Sequence, residues 1–162
     1  EVNQAFFEFS LSYKNSKGLR FNIPMRYSIY KDKIKHRVSV VTSYQHNFNP
    51  LSLKYILKYY RLYQNGKIIG EDEKTLGDVL RNKALIKYKT DSFYNPFVSA
   101  ELLFLLQSNN SLLEEYRLSS GFEIDLPKKN SLVIFLTFKK ENINKLLSDK
   151  IYIFGLSFIS KM

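Results

Sequence analysis

Ser131–Phe138 reads S-L-V-I-F-L-T-F. It is apolar almost without a break, and Val133, Ile134, Phe135 and Phe138 are β-branched or aromatic. A strand with one wet face alternates, whereas this run does not. It therefore predicts a central strand buried on both faces, with neighbours completing its hydrogen bonds and layers above and below.

The chain has 162 residues, 44% hydrophobic and 15% aromatic, enough for a real core and too apolar for disorder. The absence of cysteine excludes a disulfide framework, a thiol nucleophile and cysteine-ligated zinc. No apolar run reaches the roughly 18–20 residues of a helical membrane span. The first residue is Glu1, so the expectation is a removed signal or anchor, or a domain cut from a longer protein. That leaves two compartments open: a cytoplasmic domain of a membrane-anchored protein, or a processed envelope or periplasmic protein.

The net charge of +10 is uneven. Residues 1–90 hold 17 Lys/Arg against 7 Asp/Glu, and residues 91–162 hold 8 of each. A field this lopsided steers acidic partners, an anionic membrane surface or, less favoured here, nucleic acid.

Toward the N-terminus, alternation predicts a three-stranded antiparallel meander over Ala5–Tyr13, Leu19–Tyr30 and Lys35–Tyr44. Its polar face carries Arg20, Arg26 and Arg37. Pro24 cannot donate to a ladder and marks an edge or a bulge. Asn49-Pro50 has the form of a helix start. Leu53, Ile56, Leu57 and Tyr60 then make a stripe at helical spacing, with Lys54, Lys58 and Arg61 on a neighbouring face. Asn65-Gly66 stops this helix; the alternative is a tight hairpin pairing residues 60–63 with 67–69.

Glu71-Asp72-Glu73 precedes a short helix over Thr75–Asn82, and Ala84–Thr90 reads as a strand. Phe97–Gln107, apolar nearly all round, predicts a buried helix. A capping box at Ser111–Glu114 opens another to Leu118, with Gly121 as a breaker. Phe122–Leu126 is a strand, Glu141–Asp149 a helix, and Ile151–Ile159 a final strand.

These elements define a single α+β domain over residues 1–162: the meander, then helix–strand alternation in a mixed sheet. The element order is similar to that of the ribonuclease-H/actin-like superfold, without its acids near the first hairpin, which implies a degenerate scaffold member. The competing architecture is a strongly curved sheet or small barrel wrapped on the Phe97–Leu106 helix.

Chemical motifs are sparse. His36 and His46 lie ten residues apart with no converging carboxylate motif, so no metal site is expected. Glu123 and Asp125 sit on one strand face and fit surface polarity better than acid–base work. No phosphate-binding loop, dinucleotide fingerprint or nucleophile elbow is present, and neither an enzyme nor a cofactor is expected. The expected function is a non-catalytic docking or scaffold domain of a bacterial envelope assembly machine, such as a pilus or secretion system. Its acidic protein partners would meet Arg20, Arg26, Arg37, Lys54, Lys58 and Arg61, with Tyr55, Tyr59 and Tyr63 as anchors. The alternatives are an apolar small-molecule pocket against Phe97–Leu106, and nucleic-acid binding through the basic half.

Overall fold

Alternating sequence continues well beyond the N-terminal meander, and the backbone follows it. A computed structural model describes residues 4–15, 17–30, 33–64, 67–68, 77–107, 110–127, 130–143 and 148–160. Among them there are ten strands and no helix. They are β1 (Gln4–Lys14), β2 (Leu19–Tyr30), β3 (Lys33–Phe48), β4 (Leu51–Gln64) and β5 (Lys67–Ile68), then β6 (Asp78–Tyr88), β7 (Tyr94–Gln107), β8 (Asn110–Leu126), β9 (Asn130–Glu141) and β10 (Asp149–Ile159).

The strand order is β1-β2-β3-β4-β6-β7-β8-β9-β10, so every long strand pairs with its sequence neighbours. β5 lies off this path and pairs with β4, Tyr63 opposite Ile68. The antiparallel registers are unbroken: Phe7 opposes Tyr27, Tyr27 opposes His36, Leu118 opposes Phe138, and Phe138 opposes Tyr152. Such a meander needs only local connections, and several are short. Gly18 takes the positive φ of 87° that the first turn requires, and Asn49-Pro50, with a cis peptide, joins β3 to β4.

The fold is thus all-β, and the predicted α+β architecture is overturned. The meander at β1–β3 is as expected, but the elements after it are strands. The stretch with the helical stripe, Leu53 to Tyr60, is β4; it pairs with β5 as the hairpin alternative has it, Tyr63 opposite Ile68, while Asn65 and Gly66 lie outside the described residues. The buried helix Phe97–Gln107 is part of β7, which also removes the sheet or barrel wrapped on a helix. Ser111–Leu118, Gly121 and Phe122–Leu126 are all β8. Of the helix over Thr75–Asn82, residues 75–76 lie outside the described residues and Asp78–Asn82 belongs to β6. Of Glu141–Asp149, residues 144–147 lie outside them, Glu141 ends β9 and Asp149 opens β10. With no helix, the likeness to the ribonuclease-H order falls away. The physical reason is that an apolar run with both parities filled satisfies a helical stripe and a strand alike, and cross-strand pairing decides between them.

Ser131–Phe138 is not a central strand buried on both faces. β9 is next to last in the order, Ser131 and Thr137 are its buried side chains, and Leu136 is 52% exposed. Pro24 is on neither an edge strand nor a register shift. It pairs opposite Ser10, while the β2–β3 ladder skips Ile23 and Pro24 and resumes in the same register.

Two compact units divide the chain. One comprises Glu1–Tyr44, Ile56–Asn82 and Leu103–Leu112; the other comprises Gln45–Tyr55, Lys83–Leu102 and Leu113–Met162. Within each, alternation sorts side chains onto two faces, and the sorting is inverted relative to a protein packed in water. Phe7, Leu11 and Tyr13 in the first unit, and Phe122, Phe154 and Leu156 in the second, are each at least half exposed. The buried side chains are chiefly polar, among them Ser39, Ser99, Glu101, Glu115, Ser131 and Thr137.

Candidate functional site

The polar faces hold the chemistry. In the first unit, direct register places Glu8, Arg26 and Arg37 in one row across β1, β2 and β3. Arg26 Nε donates to Glu8 Oε2 at 2.7 Å, and Arg37 Nη2 is 3.8 Å from the same oxygen. The Arg37 guanidinium lies over the Tyr60 ring at 5.5 Å, and Lys58 Nζ is 5.6 Å from that ring. Tyr60 and Lys58 share a face of β4, so their alternation brings Lys58 to the arginine row. Arg37 Nε is buried without a hydrogen-bond partner.

This crowding shows in the ionisation. Burial, then the charges of Arg37 and Arg81, push the Lys58 ammonium down to about 8, against the weaker pull of Glu8. Burial and Arg26 likewise lower the Arg37 guanidinium. Burial and the charges of neighbouring cations thus disfavour the charged forms of Arg37 and Lys58, against the pull of Glu8.

The second unit is balanced instead. Glu101 and Glu115 are buried between Lys83, Arg117 and Lys139. Arg117 pairs closely with Glu115, and Lys139 with Glu141. Burial alone would lower the Arg117 guanidinium, but its hydrogen bond to Glu115 and the charges of Glu115, Glu101 and Glu141 hold it above its ordinary value. Lys87 pairs with Glu123, and Asn95 Nδ2 donates to Asp125 Oδ2 at 2.8 Å. Glu123 is thus tied to β6, two strands away, and Asp125 to the adjacent β7.

The apolar face of the second unit carries two aromatic rows. Tyr116, Phe138 and Tyr152 run across β8, β9 and β10, with ring centroids 5.9 and 5.3 Å apart. Phe93, Tyr94 and Phe122 make the second row, at 5.7 and 6.3 Å. On β8 the rows are six residues apart, about 20 Å of extended chain. Between them lie Leu118 and Ser120, and small side chains at Ala84, Ala100 and Ser120 leave a hollow of about 520 Å³. It includes Val98 and Ala100 of the stretch expected to form a pocket-lining helix, here presented by a strand.

The expected docking residues are redistributed. Arg26, Arg37 and Lys58 come together, and Arg20 shares their face of β2, in register with Lys14 and Ser43. Lys54 shares the face of β4 that bears Lys58. Arg61 does not join them, because its odd position in β4 places it on the opposite face. There it pairs with Asp78 through two hydrogen bonds, which hold the Asp78 carboxyl below the usual range against the effect of burial. Tyr55, 45% exposed, and Tyr59 are also at odd positions. Burial, with Asp78 beside it, raises the Tyr59 phenol. Tyr63 is placed by its backbone alone, in register with Ile68. Sequence reasoning missed Glu8, Tyr60 and Arg81, and in the second unit Glu101, Glu115 and Glu141. Their signal was parity: each lies at a polar-face position of its strand.

His36 is tilted against Tyr27, and His46 packs edge-on to Phe48. The two histidines lie ten residues apart in β3, one in each unit. Among the described residues no group of three metal-ligating side chains converges. Among the described residues no helix is long and apolar enough to cross a membrane, a finding that bears on helices alone. In comparisons with family models, curated proteins and solved structures, nothing matches the chain.

Proposed function

We propose that this chain forms wall strands of a transmembrane β-barrel, with its apolar faces against lipid hydrocarbon and its charged faces toward an aqueous lumen. The observation that carries the reading is the inverted sorting: exposed Phe, Leu and Tyr on one side of the strands, buried and paired charge on the other. A membrane barrel is apolar outside and polar inside, the reverse of a barrel in water. A spanning strand needs about 9–11 residues. The long strands have 11–17, and the apolar positions of β8 from Tyr116 to Leu126 span eleven. Aromatic side chains recur on this face, and membrane barrels are likewise rich in aromatic residues on their lipid side near the interfaces. Arg61 and Asp78 continue the apolar parity beyond Leu57 and Tyr59, where a charged pair suits the headgroup level.

In lipid every backbone group must be paired, so the outer edges of β1 and of β10 each need a strand partner. This keeps the expectation of an envelope component, as part of the same proposal, and assigns the chain no catalytic step. The test is to dilute the urea-unfolded chain into phosphatidylcholine vesicles and wash them with alkaline carbonate. The proposal expects the chain to stay with the vesicles and to show strand-rich circular dichroism. A chain that remains in the supernatant, or is stripped by the wash, overturns it.

A further inference from the structure

We infer that the hollow on the apolar face of the second unit is a binding site for one acyl chain of a membrane lipid. The inference rests on the barrel reading, which puts this face against lipid hydrocarbon. The hollow, of about 520 Å³, lies within that one unit. Its shape follows from the register. The row of Leu118, Phe138 and Tyr152 across β8, β9 and β10 is bulky throughout. Two residues along β8 the next row drops to Ser120, beside Leu136 of β9, and Ala100 and Ala84 keep the lining small on β7 and β6.

Three properties select the occupant. Among the described residues no charged side chain lines the hollow, although the same strands hold Lys83, Glu101, Glu115, Arg117 and Lys139 in salt bridges at their other parity. A charged group seated there would be desolvated with no counter-charge, so the complementary occupant is neutral and apolar. Size is the second property. A cavity of about 150 Å³ holds benzene, and by that scale this hollow takes on the order of twenty carbons, the bulk of one long acyl chain. The third is direction: Leu118, Leu136 and Tyr152 are each more than half exposed, so the hollow opens outward, to where a bilayer presents hydrocarbon chains. Left empty, its lining forfeits dispersion contacts on one side, and a seated chain restores them.

The probe is phosphatidylcholine spin-labelled near the end of one acyl chain, in phosphatidylcholine vesicles carrying the inserted protein. The site predicts an immobilised component of the spectrum that saturates at about one lipid per protein chain and exchanges more slowly than the lipid beside the rest of the face. Ala100→Phe and Ser120→Leu fill the hollow from two different strands, and each should remove most of that component. Because the hollow opens outward, the added side chains enter free space and the strand-rich circular dichroism should persist. Ser120→Ala, which keeps the space, and Leu156→Phe, at the apolar parity of β10 outside the hollow, should leave the component within about a fifth of its size. Phosphatidylglycerol with the same chain label should give the same component, because the chain and not the headgroup is held. No saturating component, or an equal one in both filled variants, overturns the inference. So does a component that follows the headgroup, or sedimentation showing a second copy of the protein covering the face in place of lipid. Carbonate-resistant insertion without the component would sink the site while leaving the barrel reading standing, and a chain that never inserts would overturn both.

Discussion

The ring of Phe135 covers Gly155, its direct register partner on the neighbouring strand. On the other side Phe135 is in register with Gly121. A side chain at either glycine would collide, but with different atoms. At Gly155 it meets the end of the Phe135 ring, which can turn away. At Gly121 it meets the Ile134 carbonyl and the Phe135 backbone, which cannot.

Gly121→Ala should therefore destabilise the fold by about 1–3 kcal/mol, in the range of an overpacked core, and Gly155→Ala by less. Urea midpoints of the micelle-folded variants measure both. Combining Gly155→Ala with Phe135→Ala should cost less than the two single changes summed, because the ring that obstructs the new methyl is gone. An additive pair would show that the ring does not pack on Gly155.

Lys58 gives a pH dependence whose sign follows from its environment. Its ammonium titrates near 8 in the folded chain, against 10.5 ordinarily. The charged form is thus disfavoured by folding, and between these values the unfolded chain binds more protons. Stability contributed at this site rises with pH from about 8 to 10.5 and is lowest, and constant, below 8. Lys58 faces Arg37, Arg81, Arg26 and Glu8, with Tyr60 beside it. Lys58→Gln should raise the urea midpoint at pH 7, and the gain should shrink toward pH 10. A variant no more stable at pH 7 would contradict the crowding described for this cluster.

Glu115 is the opposite case, a buried carboxylate between Arg117 and Lys139. Glu115→Gln leaves two partly buried cations with less compensation. It should cost about 3–5 kcal/mol, the range for removing one partner of a buried pair. Replacing Lys150, exposed and in register with Lys140, should change the midpoint by less than about 0.5 kcal/mol. Equal effects would show that the second unit's charges are solvated.

Acid should weaken the fold through Glu141 and Asp78. Hydrogen bonding from Lys139 and from Arg61 respectively holds each carboxyl below its ordinary value. Stability from these pairs is present above the ordinary values of 4.5 and 3.8 and is lost as pH falls through the lowered ones. A Glu141→Gln, Asp78→Asn variant should be less stable at pH 7, and its midpoint should fall less between pH 6 and pH 3. A parallel fall would place the acid sensitivity elsewhere.

The legible part of the fold was the part with strict alternation. Phe7, Phe9, Leu11 and Tyr13 against Glu8, Ser10 and Ser12 have a single period, and β1, β2 and most of β3 follow from it. β4 carries two patterns at once. Leu53, Tyr55, Leu57 and Tyr59 alternate with Lys54 and Lys58, but Ile56 and Tyr60 fill the polar parity and complete a helical stripe. β7 is more ambiguous still, since Phe97, Leu103 and Leu105 share the parity of buried Glu101. A polar face that admits some apolar residues blurs the strand signal, and only pairing with β6 and β8 resolves it. The cations of the site were visible because net charge is read without a fold. That Lys58 belongs with Arg37, and Arg61 does not, depends on whether β4 has a period of two or of 3.6.

The central claim is that the exposed apolar faces meet hydrocarbon, and two adjacent residues of β10 test it. Ile153 and Phe154 lie at nearly the same height on opposite faces, opposite Thr137 and Leu136 respectively. The chain has no tryptophan, so Ile153→Trp and Phe154→Trp each supply a single reporter. In vesicles of lipids brominated on their acyl chains, the account predicts strong quenching of Trp emission for the Phe154 variant and little for the Ile153 variant. Equal quenching of the two, or none in either, would contradict it.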